Sequence, residues 1–186
     1  MVEVISPEFK RVRAELIKKQ SLYYTALKEK AGKDLYLFNK YILGAEKGDD
    51  HFAKLAPFHK ELCHFVTDDI HKKKLLLLPR GHLKSTLITI GYSLQRIVKN
   101  PNIKTLILNA TWQMAVDFLS EIKRHLTQNE YLRELYPEVA ALADAPEEWA
   151  QDRITRNRTD QNVKGPTVWA AGVESNLVGS HPDLII

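Results

Sequence analysis

The chain has 186 residues, of which 44% are hydrophobic and 27% charged, with a formal charge of +4 and a single cysteine. That is length enough for one good-sized domain, with or without a small appendage, and for a real core. Cys63 has no internal partner, which excludes a disulfide-stapled fold, and no apolar run reaches the length of a membrane span.

The first part reads as helical. In the stretch from Glu8 to Lys30, Val12, Leu16, Tyr23 and Leu27 recur at helical spacing among Lys, Arg and Glu, which predicts an amphipathic face, with Gly32 as a stop. DLYLFNKYIL, from Asp34 to Ile42 and Leu43, predicts a second short helix ending near Gly44, followed by the polar loop GAEKGDD. Pro57 opens a third helix carrying Phe58, Leu62, Phe65 and Val66, which ends near the basic run Lys72, Lys73 and Lys74. That run is the solvated end of a helix sooner than a DNA contact.

From residue 74 the texture changes to short apolar runs alternating with helical patterns, the signature of a parallel α/β sheet. The run Lys74 to Leu78 predicts a first strand buried on both faces, then a helix through residues 87–98. NIKTLILNA predicts the second strand, followed by a helix through residues 114–126. RITRNR, PTVWAAGV and the closing DLII supply further strands, and residues 132–152 between them read as a partly helical surface linker. Gly172 and Gly179 are expected at bends flanking the loop before the last strand. Trp112, Trp149 and Trp169 are read as packing residues, and Cys63 as a core residue.

The loop Pro79-Arg80-Gly81-His82-Leu83, between a strand and a helix beginning at Lys84, is placed to hold phosphate. Backbone N–H groups at a helix start are unpaired and lie at the positive end of the dipole. Lys84 would reach the outer phosphates, and Ser85, followed by Thr86, would place its hydroxyl on Mg²⁺. The glycines of the pattern G-x-x-x-x-G-K-S/T are missing, since Leu78 and Leu83 stand in their places. Gly81 is the one flexible residue left. The plainer alternative is a surface turn whose Lys-Ser-Thr merely starts a helix.

The run P-R-G-H-L-K-S-T after an apolar strand resembles the modified phosphate loop of the large terminase subunits of tailed bacteriophages, with its R-G-x-x-K-S/T core. APFHKEL, containing Phe58 and His59, looks like that family's adenine-side motif. TLILNAT with Gln113 and Ala115 resembles its second strand and the following helix. TVWAAGVESNLVGSHPDLII looks like its strand, loop and final strand. The resemblance runs from about Phe38 to Ile186; the amino-terminal helices match loosely, as a small helical subdomain capping the nucleotide site.

The resemblance implies an α/β fold, a P-loop NTPase with a mainly parallel sheet flanked by helices, preceded by a helical subdomain over residues 1–50, with the ATPase core over 51–186. It implies ATP and Mg²⁺ as cofactors, with Phe58, His59, Arg80, Gly81, His82, Leu83, Lys84, Ser85 and Thr86 at the nucleotide, Arg80 and Lys84 catalytic, and Ser85 on the metal. The implied partners are double-stranded DNA, a small terminase subunit, a portal protein and further copies in a ring, with no membrane. The implied place is the cytoplasm of an infected bacterial host, and the amino terminus lacks the apolar segment of a secretion signal. Arg80 matches the family's arginine finger, a group worth about 10³ or more in rate. Arg156 and Arg158 are rivals for that role, acting on a neighbouring subunit, and surface ion pairing explains them equally well. His82 and His181 would either contact phosphate or cap a turn. His59, Cys63 and His64 lack the second pair of ligands that structural zinc asks for.

The chain ends at Ile186, where the resemblance would next place the Walker B carboxylate and a catalytic glutamate. Asp183 precedes the apolar run instead of following it. The chain alone is therefore expected to bind Mg-ATP weakly and hydrolyse it poorly. A helicase-like ATPase and a catalytically inert assembly module remain as alternatives.

Overall fold

The computed structural model describes residues 7–44, 55–144, 148–155, 158–160, 162–177 and 179–186. It begins with a long helix, α1 (Pro7–Lys33), which runs one residue past the expected stop at Gly32. Among the residues whose side chains are described, Leu16 is 61% and Tyr23 58% exposed, while Tyr24, Leu27 and Ala31 meet the core. Helical spacing predicts a stripe, not the neighbour that would cover it. Asp34 then caps α2 (Leu35–Phe38), one carboxylate oxygen accepting the N–H groups of Tyr36 and Leu37 at 2.8 and 3.1 Å. The helix continues as a π-helical turn over Asn39–Leu43 and stops at Gly44. The rest of the expected polar loop, residues 45–50, lies outside the described residues.

Helix α3 (Pro57–Thr67) starts at its proline, whose missing N–H costs nothing in a first turn. Lys74 Nζ reaches back to donate to the carbonyls of Val66 and Asp68, so one member of the basic run closes this helix while Lys72 and Lys73 stay exposed. On its inner face Cys63 is buried, and desolvation, with Asp34 adding repulsion, pushes its thiol up to about 12. The thiolate is the reactive form, so in the folded protein Cys63 should ignore a thiol reagent at pH 8 and react once denaturant is added. Rapid labelling of the native protein would contradict this placement.

The sheet sets side by side, in this order, residues 148–150, 153–155, 168–172, 105–109 and 184–185. Strand β1 (Thr105–Asn109) lies parallel to both β4 (Val168–Gly172) and β5 (Leu184–Ile185). Strands β2 (Glu148–Ala150) and β3 (Arg153–Thr155) join on the other side of β4, both pairings antiparallel. The expectation of a mainly parallel sheet is thus corrected to a mixed one. The reason is local: Gln151 and Asp152 alone connect β2 to β3, and a two-residue connection can only close an antiparallel pair.

A second correction concerns Lys74 to Leu78, which forms no strand and pairs with no part of the sheet. Leu76 and Leu78 lean on the core, but Leu75 and Leu77 are 78% and 82% exposed. Four leucines in a row say that apolar surface is available, not which faces are covered. The described residues therefore show a mixed α/β fold, and do not by themselves make the sheet of a P-loop NTPase.

Beyond β1, Thr111 Oγ1 caps α5 (Trp112–Gln128) through the Met114 N–H. The stretch expected to be a surface linker is a third correction. It forms α6 (Glu130–Leu135), α7 (Pro137–Asp144) and β2, and it buries Leu132, Leu135, Tyr136 and Val139. Between Lys84 and β1 lie a π-helical run, Ser85–Tyr92, and α4 (Ser93–Lys99).

One buried cluster joins Ala31, Leu35, Phe38, Ile42 and Leu43 to Leu87, Leu94, Leu119 and Leu132. Side-chain donors stitch across it to backbone carbonyls: Gln95 Nε2 to Ala31, Asn129 Nδ2 to Ile42, Asn39 Nδ2 to Leu87 and Tyr136 Oη to Lys28. Two of these carbonyls, Ala31 and Ile42, lie in the last turns of their helices, where the helix itself leaves carbonyls unpaired.

Candidate phosphate-binding site

The loop after Leu78 turns through left-handed backbone twice, at Gly81 (φ 80°) and at Leu83 (φ 52°), with His82 between them at negative φ. Alternation of this kind lets successive N–H groups face one concavity. Leu83 thus adopts backbone that favours glycine, and it does so while its side chain packs on the core. A left-handed leucine costs about 1–2 kcal/mol, and burying part of its side chain returns a similar amount. Leu83→Gly should therefore change stability by less than about 1 kcal/mol in urea unfolding, because relief of strain offsets lost burial. A loss several times larger would show that Leu83 is held for packing alone.

Around this turn lies a cavity of about 360 Å³ lined by Leu78, Pro79, Arg80, Gly81, His82, Leu83, Lys84, Ser85 and Thr86. All seven residues expected from the loop are brought together there. The side chains of Arg80 and Lys84 are exposed and make no hydrogen bond or ion pair among the described residues. His82 Nδ1 meets the Arg80 carbonyl at 3.1 Å, so His82 caps the turn that presents Arg80. Lys84 is helical, and the Leu87 N–H returns to the Leu83 carbonyl at 2.9 Å, which fixes the loop at the head of the π-helical run.

The two residues expected from the adenine-side motif come close through their rings. Phe58 lies 3.9 Å from the His59 ring and 5.8 Å from the His82 ring, centroid to centroid. His59 Nδ1 accepts the Ala56 N–H at 2.9 Å, which leaves the ring proton on Nε2, and that buried atom has no partner among the described residues. An orphan donor therefore sits next to Phe58, and Phe58 in turn reaches the loop.

No family model, curated protein or solved structure matches this chain. The case for the site rests on its own geometry.

Other candidates fall elsewhere. Arg158 donates to the carbonyls of Val163 and Gly165 at 3.1 and 2.7 Å and so ties its own loop; Arg156 lies outside the described residues. His181, at φ 39°, lies against a different cavity from the phosphate loop. His59 and Cys63 are buried, whereas His64 is exposed and faces Asp34 at 3.8 Å. Asp183 ties β5 to β1, its Oδ2 accepting the Lys104 N–H at 2.9 Å. Gly179 bends the chain with φ 79° as expected, but Gly172 serves close approach: a Cβ there would lie 2.8 Å from Trp112 N. Trp112 and Trp149 are partly exposed, and Lys123 Nζ lies 5.3 Å from the centre of the Trp149 ring.

The pair of π-helical segments was not legible beforehand. Asn39 and Gly91 hold them together: a Cβ on Gly91 would lie 1.9 Å from Asn39 Oδ1. A lone polar residue in the apolar DLYLFNKYIL, and a glycine inside LITIGYSL, were the only traces of it.

Proposed function

We propose that the segment from Leu78 to Thr86 binds the phosphates of ATP, and that the chain is the ATPase region of a DNA-packaging motor of the large terminase kind. Such a motor couples ATP hydrolysis to movement of double-stranded DNA into a procapsid, with a small terminase subunit, a portal protein and other copies of the chain as partners. The observation that carries this reading is the left-handed turn at Gly81 and Leu83, which sets two unpartnered cations, Arg80 and Lys84, around one concave loop.

In this reading Lys84 and the loop N–H groups neutralise the outer phosphates, and Arg80 meets charge that develops as the terminal phosphoryl group leaves. Phe58 offers a ring face to the base, with the buried His59 ring packed against it. The lining contains no carboxylate. Mg²⁺ fits here only as a metal held mainly by phosphate oxygens and water, with the Ser85 hydroxyl as its protein ligand. When bound, it would offset the charge of the phosphates. With no lining carboxylate to orient an attacking water, hydrolysis by these residues alone should be slow.

One observation favours the inert assembly module. The segment before the loop lies outside the sheet and exposes Leu75 and Leu77, so the loop is not mounted on a central strand. Calorimetric titration of the intact chain with Mg-ATP decides between them. Saturable binding supports the nucleotide reading, and no heat of binding at millimolar ATP overturns it.

A further inference from the structure

A second cavity, of about 590 Å³, opens among the loops that lead into the amino ends of β1, β4 and β5, and it shares no lining residue with the phosphate loop. Its walls are pinned to one another. Asn102 Nδ2 donates to Thr159 Oγ1 at 2.9 Å, and Asn102 Oδ1 accepts the Asp160 N–H at 3.3 Å. Asn100 Oδ1 accepts the Asn102 N–H at 2.9 Å, and Lys104 and Asp183 exchange backbone and carboxylate bonds on the third side. Left-handed backbone at Gly179 and His181 shapes the remaining wall.

Several lining groups remain unused after this pinning. The ammonium groups of Lys104 and Lys164, the Asn162 side-chain amide and the His181 ring have no partner among the described residues. The single lining carboxylate, Asp183, is turned to the Lys104 N–H. Nearby Asp160 accepts the Asn162 N–H at 2.9 Å. Lys104 and Lys164 thus line the cavity together with one carboxylate that is already occupied, in a space larger than one small anion needs.

We infer that this cavity binds a phosphate group of a nucleotide-sized ligand through Lys104 and Lys164, with Asn162 and His181 as further hydrogen-bonding groups. A tetrahedral anion with three acceptor oxygens matches this surplus of donors better than a planar carboxylate does. The phosphate can come from a free phosphorylated molecule or from a nucleic-acid strand, because both present the same oxygens.

The test uses the intact chain carrying Lys84→Ala, so that the phosphate loop contributes little. Inorganic pyrophosphate is titrated by calorimetry and a short labelled DNA duplex by fluorescence anisotropy, each with and without Lys104→Gln and Lys164→Gln. Binding that falls by about tenfold or more in the double glutamine variant, and returns with Lys104→Arg and Lys164→Arg, supports the site. Pyrophosphate binding alone identifies a free phosphate, and additional salt-dependent duplex binding identifies a nucleic acid. Hydrogen exchange on the chain without lysine substitutions gives an independent reading, with ligand-induced protection expected at residues 100–104 and 179–183. Absence of binding by either probe, binding indifferent to both lysines, or protection confined to the phosphate loop would overturn the inference.

Discussion

Lys84→Ala is expected to weaken Mg-ATP binding by about 10- to 100-fold, since a charge-assisted hydrogen bond is worth about 1.5–3 kcal/mol and each 1.4 kcal/mol is a factor of ten. The side chain is exposed and has no protein partner among the described residues, so the fold does not depend on it. The unfolding midpoint in urea should therefore stay where it is, with a stability change within about 0.5 kcal/mol. That separation makes the result readable. Lost affinity in a protein of unchanged stability assigns Lys84 to the ligand, whereas unchanged affinity would reduce the loop to a turn at the head of a helix. Arg80→Ala provides the complementary measurement. A cation that acts on charge developing in the transition state should show its effect mainly on turnover, in a chain that supplies the acidic groups hydrolysis needs.

The candidate loop could be named from the sequence because its residues are consecutive. Arg80, Gly81, Lys84 and Ser85 line one cavity simply because a short turn cannot scatter them. The link from Phe58 to His82 spans different segments, yet it too was approachable, since both ends carried recognisable chemistry.

What failed was the reading of surroundings. Lys74 to Leu78 has the composition of a buried strand, but pairing depends on a neighbour that composition does not name, and here two of the leucines face outward. The same limit applies to Leu16 and Tyr23 on α1. It acted in the opposite direction at Leu132, Leu135 and Val139, whose Ala, Glu and Pro neighbours read as surface although the helices carry a buried face. The antiparallel edge was missed for a narrower reason. Residues 148–150 and 153–155 are too short for period-two alternation to register, and only the two-residue connection between them signals a hairpin.

The contact between Asn39 and Gly91 yields the largest expected change in stability. Gly91 belongs to the π-helical run that begins at the phosphate loop, and its missing side chain leaves room for the Asn39 amide, which is fully buried. An added Cβ would fall 1.9 Å from Asn39 Oδ1 and 2.7 Å from its Cγ, so the amide must move. It has little freedom to do so, because Nδ2 donates to the carbonyls of Leu35 at 2.9 Å and Leu87 at 3.3 Å. Alanine gains about 1 kcal/mol over glycine in helix propensity, but overpacking costs about 1–3 kcal/mol and the displaced amide adds the cost of buried groups left unpaired. Gly91→Ala should thus destabilise the protein by about 2–3 kcal/mol, seen as a lower urea midpoint at unchanged slope. A double-mutant cycle identifies the cause. Asn39→Ala alone also destabilises, by about 1–3 kcal/mol, since it strands the carbonyls it served and opens a cavity. With Asn39 already shortened, however, the methyl group of Gly91→Ala enters vacated space, so the second substitution should cost nothing or restore stability. Strict additivity of the two costs would mean that Gly91 is required for its backbone, not for the room it leaves, and the amide contact could then not be what holds the two π-helical segments together.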